Sequence, residues 1–157
     1  MDLNTNIFTQ FHEKWALLTA GTGDDWNAMT VSWGGLGTLW GRPVATVYVK
    51  PIRHTWQFME RSGVFTLSFY PEEYRADLTT LGTKSGRDGD KVALTRLTPV
   101  VLDRGVTFAQ AEVTLVCRKL YRQDLDRAAM PREVAESIYA VEAPHTMYIG
   151  EVTEILR

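Results

Sequence analysis

The sequence predicts a mainly β protein: a closed or nearly closed antiparallel barrel with two or three short helices in its connections. Three observations carry this expectation. Apolar residues recur chiefly with period two, the mark of half-buried strands. Only a few short segments show helical spacing. No repeat, low-complexity stretch or linker divides the 157 residues, so 1–157 read as one domain. A chain of that length can bury a sizeable single core.

In chain order, Phe8–Lys14 is expected to form a short helix. From Asn27 to Trp33, Met29, Val31 and Trp33 alternate with Ala28, Thr30 and Ser32, which predicts a strand. Ala45, Val47 and Val49 form one face of a strand over Pro43–Lys50. Ile52, Trp56 and Met59 recur at helical spacing, as do Tyr74, Leu78 and Leu81, with Gly82 placed to end that second helix. Between them, Phe65, Leu67 and Phe69 mark a strand over Val64–Phe69. Val106–Tyr121 reads as one long strand. Ala109, Ala111, Val113, Leu115 and Cys117 face one way there, and Gln110, Glu112, Thr114 and Arg118 the other. Ala128–Tyr139 is ambiguous, with Pro131 able to open a helix. His145–Leu156 alternates through Met147 and Ile149, slips at Gly150 and resumes at Val152, the pattern of a β-bulge. These segments imply about six or seven strands, which favours a barrel over a doubly wound sheet. Closure also removes the exposed edges that such apolar strands would leave.

Composition narrows the function. Apolar residues at 45% and charged residues at 23% are the balance of a soluble globular protein. No apolar run approaches the roughly 20 residues of a membrane span. The start, Met1-Asp2-Leu3-Asn4-Thr5-Asn6, lacks a basic and an apolar region, so no signal peptide is expected. With one cysteine, Cys117, no internal disulfide can form, and a reducing cytoplasm is the expected compartment. The net charge of −2 comes from interspersed signs, without the basic stripe that nucleic-acid binding needs. Any bound anion must therefore be caught locally.

Three segments carry candidate chemistry. In Asn27–Gly35, Thr30 and Ser32 offer hydroxyls, the glycines would let a ligand approach the backbone, and Trp33 would wall an aromatic ligand. The plainer reading is a half-exposed strand leading to a turn. Val49–Thr55 joins a strand to a helix start, whose free N–H groups suit a phosphate. Lys50, Arg53 and Thr55 would add charge and a hydroxyl there; the plainer reading is a loop with solvated cations. Thr83–Lys91 holds Ser85, Gly86, Arg87, Gly89 and Lys91, where positive-φ glycines could form an anion nest completed by Lys91 or Arg87. The plainer reading is a polar surface turn. The three histidines, His12, His54 and His145, lack metal-ligand spacing, so no metal site is expected. His145 opens the final strand at a barrel mouth. Cys117 reads as an inert core thiol.

Taken together, the motifs resemble a known family. They are N-x-M-T-x-S-W at Asn27–Trp33, then Trp40, then V-K-P-x-R-x-T at Val49–Thr55, F-T-L-S-F-Y-P at Phe65–Pro71, and S-G-R-D-x-D-K at Ser85–Lys91. Their order and spacing resemble the flavin reductase-like family with the FMN-binding split barrel, most closely its flavoredoxin-type branch, over roughly residues 16–157. The resemblance implies a Greek-key split β-barrel that forms a homodimer with FMN near the interface. It places Asn27, Thr30, Ser32 and Trp33 along the ribityl chain and flavin ring, Arg53 and Thr55 in the following loop, and Ser85 and Lys91 at the phosphate. His145 corresponds to a histidine near nicotinamide and flavin in the NAD(P)H-dependent reductases and is the catalytic candidate. Two features depart from the pattern: Lys50 stands for an arginine, and Ala143-Pro144 for the Gly-Asp before that histidine.

The expected function is that of an FMN-dependent oxidoreductase passing electrons from NADH or NADPH to an acceptor, with FAD or riboflavin as alternative flavins. A flavoredoxin-like carrier with bound FMN and no nicotinamide site is the alternative, and a non-catalytic barrel for another planar ligand a third.

Overall fold

A computed structural model describes residues 6–157. Among them are nine strands and four α-helices. The strands are β1 (Ala16–Thr22), β2 (Asp25–Val31), β3 (Gly34–Leu39), β4 (Arg42–Val49), β5 (Val64–Phe69), β6 (Pro99–Leu102), β7 (Gly105–Phe108), β8 (Val113–Asp124) and β9 (Thr146–Leu156). The helices are α1 (Ile7–His12), α2 (His54–Arg61), α3 (Arg75–Thr83) and α4 (Arg132–Ser137). Seven strands form one sheet in the order β2-β1-β5-β8-β9-β4-β3, every pairing antiparallel, and β6 and β7 form a separate hairpin.

The sheet has to curl. Its two edge strands, β2 and β3, are consecutive in the chain, and only Ser32 and Trp33 lie between them. Six strand spacings in a flat sheet would separate the edges by roughly 29 Å. Three Cα steps reach at most about 11 Å. The edges therefore meet at a seam, which makes the sheet the split barrel that the period-two pattern and the family resemblance predict.

The barrel interior holds Leu18, Val31, Val47, Phe65, Leu67, Leu115, Cys117 and Tyr148, all buried. Phe58 and Met59 of α2 plug one end. A second apolar cluster lies outside, where Leu78 and Leu81 of α3 and Phe108 of β7 cover Leu17 and Ala28. Complete burial of each of these Leu, Val, Phe and Met side chains contributes about 1.5–3 kcal/mol. Burial also pushes the Cys117 thiol well up, so it is held as the thiol.

The structure corrects four expectations. The run Val106–Tyr121 is two strands, interrupted by a turn at Ala109–Glu112. Thr114 does not face water: it is 2% exposed, and its hydroxyl lies 2.6 Å from that of Thr107 and 2.9 Å from that of Ser68. The β6–β7 hairpin folds over that face and turns a polar position into a buried hydroxyl cluster. In β9 the phase does not slip at Gly150, since Thr146, Tyr148, Gly150 and Val152 are all buried; the irregularity expected beside Gly150 lies on the partner strand, where Leu120 is the extra residue of β8, and a second follows at Thr153. Gly82 does not end α3, which continues to Thr83.

Gly150 faces inward because Phe65 occupies the space a side chain would need: a Cβ there would sit 2.6 Å from the ring and 3.0 Å from Cys117 Cβ. Gly150→Ala is therefore expected to destabilise the fold by about 1–3 kcal/mol through overpacking, read as a lowered unfolding midpoint in urea. An unchanged midpoint would show that Phe65 can move away freely.

Candidate functional site

The seam opens onto a cleft. One cavity of about 320 Å³, the seam cavity, is lined by Thr30, Ser32, Trp33, Tyr48, Lys50 and His145. A second, of about 280 Å³, the loop cavity, is lined by Asn27, Thr55, Ser85, Gly86, Arg87 and Lys91. Met29, Ile52, Arg53 and Glu142 line both, so the two are halves of one elongated cleft.

The loop cavity is built where α2 begins and α3 ends. Arg53 is the extended residue before α2, and no side chain caps that helix start. At the other wall the last carbonyls of α3 would lack partners. Two cations take them. Lys91 Nζ donates to the carbonyls of Leu81 at 2.9 Å and Lys84 at 3.2 Å, and Arg53 Nη2 donates to that of Gly82 at 2.8 Å. Positive charge suits a helix C-terminus. These contacts do not exhaust the donors, since an ammonium has three and a guanidinium five.

Among the described residues, neither Lys91 nor Arg53 makes an ion pair. Lys91 is nevertheless only 6% exposed. Burial first, then the nearby Arg53 charge, pushes its pKa down to about 8. Burial likewise lowers that of Arg53. His54, also on this wall, has an Nδ1 sealed from solvent without a partner. A buried lysine and a half-buried arginine with spare donors beside a cavity fit an anion such as a phosphate.

The remaining walls are tightly made. Asn27 Nδ2 donates to Thr55 Oγ1 at 2.8 Å. Gly86 lies so near that a Cβ there would come within 2.3 Å of Asn27 Oδ1. Arg87 Nη1 donates to the Ile52 carbonyl at 2.8 Å, tying the Ser85–Arg87 turn to the loop before α2. Ser85 Oγ accepts from the Arg87 backbone N–H at 3.2 Å.

The seam cavity has aromatic walls. Trp33, 45% exposed, has its ring centroid 5.1 Å from that of His145. Burial first, then the Lys50 charge, pushes the His145 pKa down to about 4, so its imidazole is neutral at pH 7. Lys50 Nζ pairs with Glu142 Oε2 at 2.5 Å across this cavity's wall.

The structure thus gathers every candidate residue into one cleft. Asn27, Arg53, Thr55, Ser85 and Lys91 lie around the loop cavity, and Thr30, Ser32, Trp33 and His145 around the seam cavity. Some details differ from expectation. Ser32 and Trp33 belong to the seam, not to β2. The Thr30 hydroxyl proton is spent on the Leu78 carbonyl at 2.5 Å. Gly34 makes room for Phe11 rather than for a ligand, since a Cβ there would lie 2.5 Å from that ring. The loop's Gly86–Asp88 stretch is a single 3₁₀ turn in which Gly86 has no positive φ, and the positive φ of this loop falls at Gly89, at +134°. Lys50 is paired rather than free. Tyr48, Glu142 and Tyr139 escaped the sequence reading. Glu142 meets Lys50 across 92 positions, and no local pattern signals such a contact.

The chain also has recognisable relatives. The family described as flavin reductase like domain matches residues 8–157. No curated protein matches the sequence significantly. Among solved structures, a flavoredoxin from Methanosarcina acetivorans is 18% identical with a TM-score of 0.72, covering 99% of this chain and 74% of that one. An FMN-binding protein from Thermus thermophilus with bound 1-cyclohex-2-enone is 17% identical, also at 0.72, covering 100% and 79%. An NADH:FAD oxidoreductase from Streptomyces globisporus is 15% identical at 0.70, covering 92% and 74%. At these identities the structures agree in fold.

The electrostatics of the loop cavity predict a pH window for anion binding. A phosphate monoester gains its second charge above about pH 6. Lys91 is depressed to about 8 and loses its charge above that value. Affinity for a phosphate monoester is expected to rise through pH 6, hold, and fall above pH 8, measured by isothermal titration calorimetry. A flat profile from pH 7 to 10 would remove Lys91 from the binding set.

Proposed function

The chain belongs to the flavin reductase like domain family, and from that premise we propose that it binds FMN and passes electrons from a reduced nicotinamide through it to an acceptor. The observation that carries this reading is the two-part cleft. One half is walled by Trp33, Tyr48 and His145, and the other is flanked by the buried Lys91 and the half-buried Arg53. A planar ring joined through a polar chain to a phosphate has that division of chemistry. Arg53, Lys91 and Ser85 would hold the phosphate, with Thr55 and Asn27 on the adjoining wall. Thr30 and Ser32 would meet the ribityl chain and ring edge, and Trp33 would wall the ring. Cations that no carboxylate pairs at the loop cavity favour FMN over riboflavin.

Bound FMN supplies the hydride and electron chemistry. The protein's part is to bind, orient and set charge. Arg53 and Lys91 neutralise the phosphate. Trp33 restricts the ring's approach. His145, neutral at pH 7, lies where it can guide a nicotinamide or move a proton at the ring edge.

A carrier with tightly bound FMN and no nicotinamide site is the second reading. Ala143-Pro144 before His145, in place of the Gly-Asp of the NAD(P)H-dependent reductases, favours it. We also propose a homodimer, supported by family resemblance and by exposed Phe8, Trp33 and Trp40. A cytoplasmic location suits a protein whose one cysteine is free and buried. No described helix is long and apolar enough to cross a membrane.

The apo protein is expected to bind FMN saturably, seen as quenching of flavin fluorescence, and riboflavin at least about tenfold more weakly. Lys91→Ala should weaken FMN binding by about 10–100-fold, the value of a charge-assisted hydrogen bond, while the far-UV spectrum stays unchanged. Absence of FMN binding would sink the flavin reading. NADH or NADPH oxidation no faster than with free FMN would leave the carrier reading in its place. A monomer at micromolar concentration by sedimentation would count against the dimer.

A further inference from the structure

His145 is held by more than its place before β9. Its Nδ1 lies 2.8 Å from the hydroxyl of Tyr139, a residue 4% exposed. Their rings meet edge to face with centroids 5.6 Å apart. Tyr139 is itself fixed: Arg127 Nη1 donates to its carbonyl at 2.6 Å, and Arg127 Nη2 to the carbonyl of Ala135 at 3.2 Å. The backbone of His145 is fixed too, its carbonyl accepting from the N–H of Leu125 at 3.0 Å. The other ring nitrogen, Nε2, has no hydrogen-bond partner among the described residues and is not sealed from solvent, and the ring lines the seam cavity.

The direction of the Tyr139–His145 bond follows from chemistry. A buried phenol with one partner has one place to put its proton. A phenol O–H is also a better donor than a neutral imidazole N–H. The Tyr139 hydroxyl therefore donates to the Nδ1 lone pair, and the partner of one ring nitrogen sets the state of the other. We propose that Tyr139 is a positioning residue that holds His145 in the Nε2–H tautomer, so that a neutral N–H donor faces the seam cavity. This deepens the flavin reading and rests on it for the identity of the acceptor, a nitrogen or oxygen at the edge of the planar ring.

The charges around the imidazole agree. Lys50, from the end of β4, lies 5.9 Å from the Tyr139 ring and faces His145. Arg53 adds a second positive charge from the loop before α2, and Glu142, on the same segment as Tyr139, opposes them. Two cations and burial outweigh one carboxylate that Lys50 already holds at 2.5 Å. A neutral ring is the outcome, and a neutral ring must choose a tautomer.

The test is nitrogen-15 NMR of the imidazoles in the protein without flavin at pH 7, with His145 assigned by loss of its signals in His145→Gln. Wild type should show His145 neutral and protonated at Nε2. In Tyr139→Phe, which keeps the packing, that bias should collapse toward a tautomer mixture and the protonation midpoint should rise. FMN affinity should stay within about threefold. Saturating FMN should shift the wild-type Nε2–H signal. A wild-type Nδ1–H tautomer overturns the proposal without any variant, as does an unchanged spectrum in Tyr139→Phe, or FMN that binds without moving the Nε2–H signal. FMN that fails to bind overturns the functional reading instead and leaves the tautomer result standing.

Discussion

Two residues joining both edges of a seven-stranded sheet are the constraint on which the rest depends. Ser32 and Trp33 cannot bridge a flat sheet, so the sheet closes, and closure makes a seam with its own chemistry. Strands pair on either side of the seam, while the seam residues have no strand partner. A cleft forms there because the ladder is interrupted. The same two residues that close the barrel line the seam half of that cleft.

Electrostatics give the cleft its polarity. α2 starts and α3 ends at the loop cavity. The carbonyl end of α3 draws Lys91 and Arg53 inward. A helix terminus can bury a cation that no carboxylate pairs, because its partial charge and fixed carbonyls replace water. The arrangement leaves donors unspent and lowers the Lys91 pKa. A complementary anion restores what burial takes away. At the opposite end, Lys50 is satisfied by Glu142, and the neutral His145 stands between aromatic rings. The cleft therefore runs from an anion-seeking end to an aromatic end of balanced charge.

Much of this was legible in the sequence, for reasons that differ by element. β4 and β5 were legible because period-two apolar patterning is a local property of a pleated chain, even though β5 is buried on both faces, with Thr66 and Ser68 bonded to the β7 residues that cover them. Candidate phosphate residues in Val49–Thr55 and Thr83–Lys91 were legible because helix starts, glycines and cations cluster there in sequence. The break after Phe108 was not, since Ala109 and Ala111 continue the alternation and only the covering hairpin shows that the chain turns. Thr114 looked solvent-facing because Gln110 and Glu112, the preceding residues of its alternating face, are polar; the hydroxyls that satisfy it, on Ser68 and Thr107, come from β5 and β7. The inward face of β9 was misread because Tyr148 and Gly150 do not look apolar. One is a large ring whose hydroxyl reaches Glu60 at 2.6 Å, and the other is empty space for Phe65.

The sequence by itself determined a mainly β barrel, the family resemblance, and a short inventory of residues with the chemistry to hold a phosphate and a planar ring. Those are statements about periodicity and composition along the chain, which local physics writes into neighbouring positions. Only the tertiary structure decided that the inventory forms one cleft, that α3's carbonyl end is what buries Lys91, and that Glu142 and Tyr139 belong to the site. Glu142 reaches Lys50 across 92 positions, and Tyr139, though only six positions from His145, meets it through a turn whose ends are held by Arg127 and by β9. Charge and hydrogen bonding act through space, and no spacing rule along the chain encodes which surfaces a closed barrel will bring together.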